Sequence, residues 1–182
     1  MSVNVLVLQG SLKPGFNSAL ADAVAAALPE GSAVRFDGLD QLPFYRETLD
    51  AAGADERVDA FRQAIAASDA LVMITPEHNG MPTAVLKNAL DIASRPKGAS
   101  PLAGKVVAVA SASPSPGGGS RATAALVGGL RASRALPLEP VLNIPAAHTR
   151  MADGRYDDGV LADVRELAER LLAELDAARS AA

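Results

Sequence analysis

Ala70-Leu71-Val72-Met73-Ile74-Thr75-Pro76-Glu77-His78-Asn79-Gly80-Met81-Pro82 runs from a short apolar stretch straight into a cluster of Pro, Asn and Gly. An apolar run this short, with Val72 and Ile74 in it, reads as a strand buried on both faces. The segment after the cluster, Thr83-Ala84-Val85-Leu86-Lys87-Asn88-Ala89-Leu90-Asp91, repeats its apolar residues at helical spacing. A strand, a sharp polar loop and a helix place free backbone groups at the carboxyl end of a strand, where open α/β sheets bind ligands. Pro76 removes a backbone donor and fixes its own φ, and Gly80 allows a backbone that a Cβ would forbid. A loop of this kind can lie flat against a planar ligand, so Pro76, Glu77, His78, Asn79 and Gly80 are candidate site residues.

Upstream, residues 3–8 (Val3-Asn4-Val5-Leu6-Val7-Leu8) read as a first strand. A loop over 9–15 follows, and Asn17 is placed to cap a helix over 18–28. Residues 33–36 form a weaker second strand. The stretch 38–53 looks irregular, with Pro43, Phe44 and Tyr45 as its apolar anchors. A helix over 55–67 carries Val58, Phe61 and Ile65 on one face, and the helix after the site loop spans 82–93. Downstream come a strand over 105–110, a Gly/Ser/Pro loop over 111–119, a helix over 120–134 and a strand over 139–144. The final helix, 159–179, keeps Leu161, Val164, Leu167, Leu171 and Leu175 in register.

Five strands alternating with helices predict an α/β fold with right-handed crossovers and a parallel, doubly wound sheet. The strand order 2-1-3-4-5, with helices in layers on both faces, is the flavodoxin-like arrangement. It makes strands one, three and four neighbours, so the loops that follow them converge at one end. The loop over 111–119 is then either a flexible linker or a third ligand loop, and the strand before it and helix after it favour the ligand loop. Its candidate residues are Ser111, Ser113, Gly117 and Gly118. No internal repeat is evident, and a single domain over residues 1–182 is expected.

Composition removes several function classes. The 182 residues are 49% hydrophobic, which excludes a disordered chain. A net charge of -4, scattered Lys and Arg, and only 3% aromatic residues argue against nucleic acid. Without cysteine there is no disulfide, iron–sulfur ligation or thiol catalysis. The two histidines, His78 and His148, lie far apart and form no ligand pair, so no metal is expected. Ser100 in Gly98-Ala99-Ser100-Pro101-Leu102 lacks the closing Gly of a nucleophile elbow. No run approaches the roughly 20 apolar residues of a membrane helix, and a soluble cytoplasmic protein is the expectation.

Gly10-Ser11-Leu12-Lys13-Pro14-Gly15-Phe16-Asn17-Ser18 connects the first strand to its helix. Free N–H groups and the positive end of the helix dipole suit that position to an anion. Ser11, Asn17 and Ser18 can donate hydrogen bonds and Lys13 supplies a countercharge. Alone, the segment reads equally as an ordinary capped helix with a solvated lysine. It is neither a Walker loop nor Gly-x-Gly-x-x-Gly, so a Rossmann-bound dinucleotide is not indicated.

Taken together, Gly10-Ser11-Leu12-Lys13 through Asn17-Ser18, Pro76-Glu77-His78-Asn79-Gly80 and Leu86-Lys87-Asn88-Ala89-Leu90-Asp91 resemble the NAD(P)H-dependent FMN reductase family. Ser94-Arg95-Pro96 and Gly118-Gly119-Ser120-Arg121-Ala122 extend the resemblance over nearly the whole chain. That family includes bacterial quinone, chromate and azo reductases. The resemblance implies that the first loop holds the phosphate of FMN and the Pro-Glu-x-Asn loop contacts its ring. NADPH or NADH is implied as co-substrate, with a small-molecule electron acceptor (a quinone, azo compound, flavin or oxyanion) using the same open face in a ping-pong cycle. The chemistry is then carried by FMN with no catalytic side chain, and a homodimer or homotetramer is implied. The alternative is a flavodoxin-type electron carrier that holds FMN without turning over NAD(P)H. One departure is His78, where the family usually has Tyr. It is either a packing substitute or a group that can carry positive charge beside the ring.

Overall fold

Alternation along three buried strands supplies side chains to two helical layers at once. In the computed structural model, which describes residues 3–180, β1 (Val5–Gln9), β3 (Ala70–Ile74) and β4 (Val106–Ala112) form the sheet centre. Leu6, Leu8, Leu71, Met73, Val107 and Val109 point to one face. They pack there against α2 (Glu56–Ala67), α3 (Ala84–Ala93) and α4 (Ser120–Ala132). Val5, Val7, Val72, Ile74, Ala108 and Ala110 point to the other face, under α1 (Phe16–Ala27) and α5 (Asp158–Ser180). This period-two alternation makes the sheet the middle of three layers.

The order is β2-β1-β3-β4-β5, with β2 at Ala33–Arg35 and β5 at Leu136–Pro137, and every pairing in this sheet is parallel. That is the predicted flavodoxin-like order. Gln9 is level with Ile74, and Ile74 with Ala110. The loops after β1, β3 and β4 therefore leave the sheet at one height, side by side.

The edge beside β4, predicted as one strand over 139–144, is filled by two pieces, one of which precedes the predicted span. β5 pairs with Val106 and Val107, and β6 (Leu142–Ile144) pairs with Ala110 to Ala112. The intervening residues 138–141 outnumber their counterparts on β4, and Pro140 has no N–H to give the ladder. Two other expectations change. α1 begins at Phe16, so Asn17 lies inside the helix and does not cap it. The 38–53 stretch contains one-turn 3₁₀ segments at Leu39–Gln41 and Glu47–Asp50, anchored by buried Leu39, Leu42 and Leu49. Phe44, predicted as an anchor there, is 82% exposed.

Asn88 on α3 clamps that stretch, accepting from the Tyr45 N–H at 2.9 Å and donating to the Pro43 carbonyl at 3.0 Å. Arg62 on α2 adds bonds to the Leu49 carbonyl and the Asp50 carboxylate at 2.7 and 2.9 Å. A hairpin absent from the sequence reading joins β7 (Met151–Ala152) to β8 (Arg155–Tyr156). Its turn is Asp153-Gly154, both at positive φ, a dipeptide favoured in two-residue hairpin loops. The buried Tyr156 hydroxyl donates to the Phe16 carbonyl at 2.8 Å and so ties the hairpin to the start of α1. Among the described residues no helix is long and apolar enough to cross a membrane.

Candidate functional site

A cavity of about 710 Å³ opens where the three loops meet. Its walls run from Gly10 to Asn17, through Pro76, Glu77 and His78, along Thr83, Ala84 and Val85 at the head of α3, to Ala112, Ser113 and Pro114. The volume lies within the usual range for small-molecule and cofactor sites.

The first wall is suited to an anion. Gly15 caps α1, and its N–H donates to the Ser18 hydroxyl at 2.7 Å while that hydroxyl donates back to the Gly15 carbonyl at 2.8 Å. The first turn of α1 holds no acidic residue, so nothing offsets the positive end of the helix dipole. Ser11 donates to the Lys13 carbonyl at 3.0 Å, which curls the loop back on itself, and the Lys13 side chain is left exposed.

Asn17 serves a different purpose from the one its position in the sequence suggested. It is buried, its Nδ2 donates to the Ala112 carbonyl at 2.8 Å, and its Oδ1 accepts from the Ala112 N–H at 2.9 Å. The side chain thus cross-links the first loop to the end of β4. Ser18 is absent from the cavity wall because its hydroxyl is committed to Gly15.

In the second wall, His78 and Met81 exchange backbone hydrogen bonds of 2.9 and 3.0 Å. Between them Asn79 and Gly80 both have positive φ, at 54° and 77°, the geometry of a type I′ turn. Pro76, Glu77 and His78 face the cavity, while Asn79 and Gly80 form the turn outside it. Glu77 accepts from the Arg121 N–H at 3.1 Å, from Arg121 Nε at 2.9 Å and from Nη2 at 2.6 Å. The carboxylate ties the loop to the start of α4 rather than acting as a free base. Partial burial pushes its pKa up, but the bonds from Arg121 and the Ala122 N–H outweigh this and hold it below the ordinary 4.5.

A depressed carboxylate contributes stability that is complete above its unfolded pKa and is lost as pH falls through the folded value. Glu77→Gln should therefore lower the thermal midpoint at pH 7 and narrow its gap to the parent as pH drops below about 4.5. Melting curves from pH 7 to 3 check this, and a gap that stays constant would contradict it.

In the third wall Ser113 accepts from the Ser115 N–H at 3.2 Å and lines the cavity. Ser111 is buried behind the loop, and Gly117 and Gly118 shape the backbone without facing the space. At Gly118, with φ at +59°, a Cβ would sit 2.8 Å from the Pro145 nitrogen, so the loop can pass this point only with glycine. The Thr83 hydroxyl is buried beside the cavity and has no hydrogen-bond partner among the described residues. No local pattern marks Thr83. Arg121 stands in the 118–122 stretch that extends the family resemblance, but nothing in the sequence pairs it with Glu77.

The model of the family described as NADPH-dependent FMN reductase matches residues 3–149. A quinone reductase of Pseudomonas putida is 36% identical over 156 residues, covering 85% of this chain and 82% of that protein. A 2-hydroxy-1,4-benzoquinone reductase of a Burkholderia species is 41% identical over 110 residues, 60% of each chain. The solved structure of FerB, a flavoenzyme NAD(P)H:(acceptor) oxidoreductase from Paracoccus denitrificans, superposes with a TM-score of 0.83. It is 29% identical and covers 96% of this chain and 97% of its own.

Proposed function

The chain belongs to the NADPH-dependent FMN reductase family, and from that premise we propose that it reduces quinones with electrons from NADH or NADPH in a ping-pong cycle. One observation carries the reading. One cavity joins an anion-suited helix start, free of acidic residues, to a wall of Pro76, Glu77 and His78. The residues present fit FMN: Lys13, the loop that Ser11 keeps curled and the first turn of α1 would hold its phosphate, and Pro76, Glu77 and His78 would border its ring. The orphaned Thr83 hydroxyl supports the fit, because a buried polar group without a partner calls for one. Bound FMN supplies two-electron redox chemistry, so no side chain here needs to act as acid or base.

The protein's own residues hold and shape. Asn17 and Glu77 lock the three loops together, and Asn79-Gly80 turns the second loop away so that one face stays open. Leu12, Pro14, Phe16, Pro76, Val85 and Pro114 make much of the wall apolar, which suits an uncharged planar acceptor such as a quinone ahead of an oxyanion. The reading extends to one domain over the whole chain, a cytoplasmic setting where NAD(P)H is available, and a homodimer or homotetramer that covers Phe44.

Initial rates with NADH and 1,4-benzoquinone should give parallel double-reciprocal lines, and the purified protein should show flavin absorption. Intersecting lines would reject the shared face. Bound FMN with no NAD(P)H oxidation would favour the electron carrier instead.

A further inference from the structure

A second cavity, of about 460 Å³, lies behind the first loop and shares Ser11, Leu12, Lys13 and Pro14 with the main one as a common wall. It sits at the carboxyl ends of β1 and β2, with Val7, Gln9 and Arg35 at its base. We propose that it receives the adenosine half of the nicotinamide nucleotide, and that its carboxylates make this protein prefer NADH to NADPH. The proposal rests on the function argued above and names the nucleotide that serves it.

The walls match adenosine in kind. Leu12, 65% exposed on the shared wall, and the half-buried Phe36 offer apolar surface to a purine. Asp37 and Asp40, both exposed at the rim after β2, can accept from a ribose diol. Both acids follow β2, which lies parallel and adjacent to β1, so they stand at the same end of the sheet as the first loop.

A 2′-phosphate would meet those carboxylates as like charge. The cation beside them offers it little, because the Arg35 guanidinium is engaged by the Asp22 carboxylate and the Gln9 side-chain carbonyl. Lys13 lines both cavities, and on the function argued above its charge is shared with the FMN phosphate. The two cavities adjoin along Ser11, Leu12, Lys13 and Pro14, so an extended nucleotide lying across that stretch would enter both.

The test pairs kinetics with binding. FMN-loaded parent, Asp37→Asn/Asp40→Asn and a charge control, Asp163→Asn on α5, are assayed with NADH and NADPH against 1,4-benzoquinone. ADP-ribose and its 2′-phosphate are titrated into each by calorimetry, with and without FMN. The parent should favour NADH in kcat/KM by about tenfold, the scale of two exposed carboxylates opposing one phosphate. The double variant should lose most of that preference through the KM for NADPH, and its FMN affinity and the Asp163→Asn ratio should stay unchanged. ADP-ribose should bind the parent more tightly than its 2′-phosphate.

A parent that favours NADPH or is indifferent, or a double variant with the parent's ratio, overturns the proposal. A chain that takes up no FMN would instead defeat the functional reading. The titrations without FMN would then still decide the adenosine site.

Discussion

Asn17→Ala is expected to lower the unfolding free energy of the FMN-free protein by roughly 2–6 kcal/mol, the sum of two orphaned backbone groups at about 1–3 kcal/mol each. The amide of Asn17 makes reciprocal hydrogen bonds of 2.8 and 2.9 Å to the carbonyl and N–H of Ala112, and both residues are buried. An alanine at 17 removes both partners at once. Water reaches such a site poorly, so the N–H and C=O of Ala112 bear most of the desolvation cost. The same change unties the first loop from β4, so FMN affinity should fall although Asn17 itself need not touch the cofactor. Urea unfolding of parent and variant reads the stability, and FMN titration of the folded variant reads the second effect. A loss under about 0.5 kcal/mol, the size of an ordinary surface substitution, would show that the cross-link does not hold the loops.

Ser11→Ala combined with Lys13→Ala is expected to weaken FMN binding well beyond tenfold while leaving the apoprotein's stability nearly unchanged. A charge-assisted hydrogen bond contributes roughly 1.5–3 kcal/mol, and the exposure of Lys13 places its share at the low end. Ser11 keeps the loop curled by donating to the Lys13 carbonyl, so its loss loosens the donors of that loop. Stability should hold because neither residue belongs to the two core clusters. Quenching of FMN fluorescence on titration gives the affinity. An unchanged value in the double variant would remove the phosphate from this loop. If the Lys13 contribution is coulombic, raising the salt should narrow the gap between Lys13→Ala and the parent.

Much of the frame was legible because burial leaves a local trace. Leu71 to Ile74 are apolar without a break, as a strand covered on both faces requires, and the Pro/Asn/Gly cluster marks its end. The stripe of α5 repeats Val164, Leu167, Leu171 and Leu175 at helical spacing, and all four are buried. Shorter elements left less to read. β7 and β8 have two residues each, too few for any period to show, although Asp153-Gly154 between them was a usable sign. The split of the edge strand turned on Pro140 and on how far the chain bows from β4, which no window of sequence reports.

By itself the sequence determined the positions of the central strands, the convergence of three polar loops and the anion-suited start of α1, because each depends on periodicity or on the conformational limits of Pro and Gly. Only the tertiary structure decided what the polar side chains in those loops do. Asn17 has the residue type and position of a helix cap, yet its partner is Ala112, 95 residues on. Glu77 is legible as a site residue in its loop, yet its partner is Arg121, 44 residues on. Phe44 looked like an anchor and stands in solvent, while Leu39, Leu42 and Leu49 are buried in its place. The physical reason is common to all of them. Hydrophobic burial is averaged over many neighbours and so is written in composition and spacing. A hydrogen bond or ion pair is short and directional, and its partner exists only after distant segments have been brought side by side.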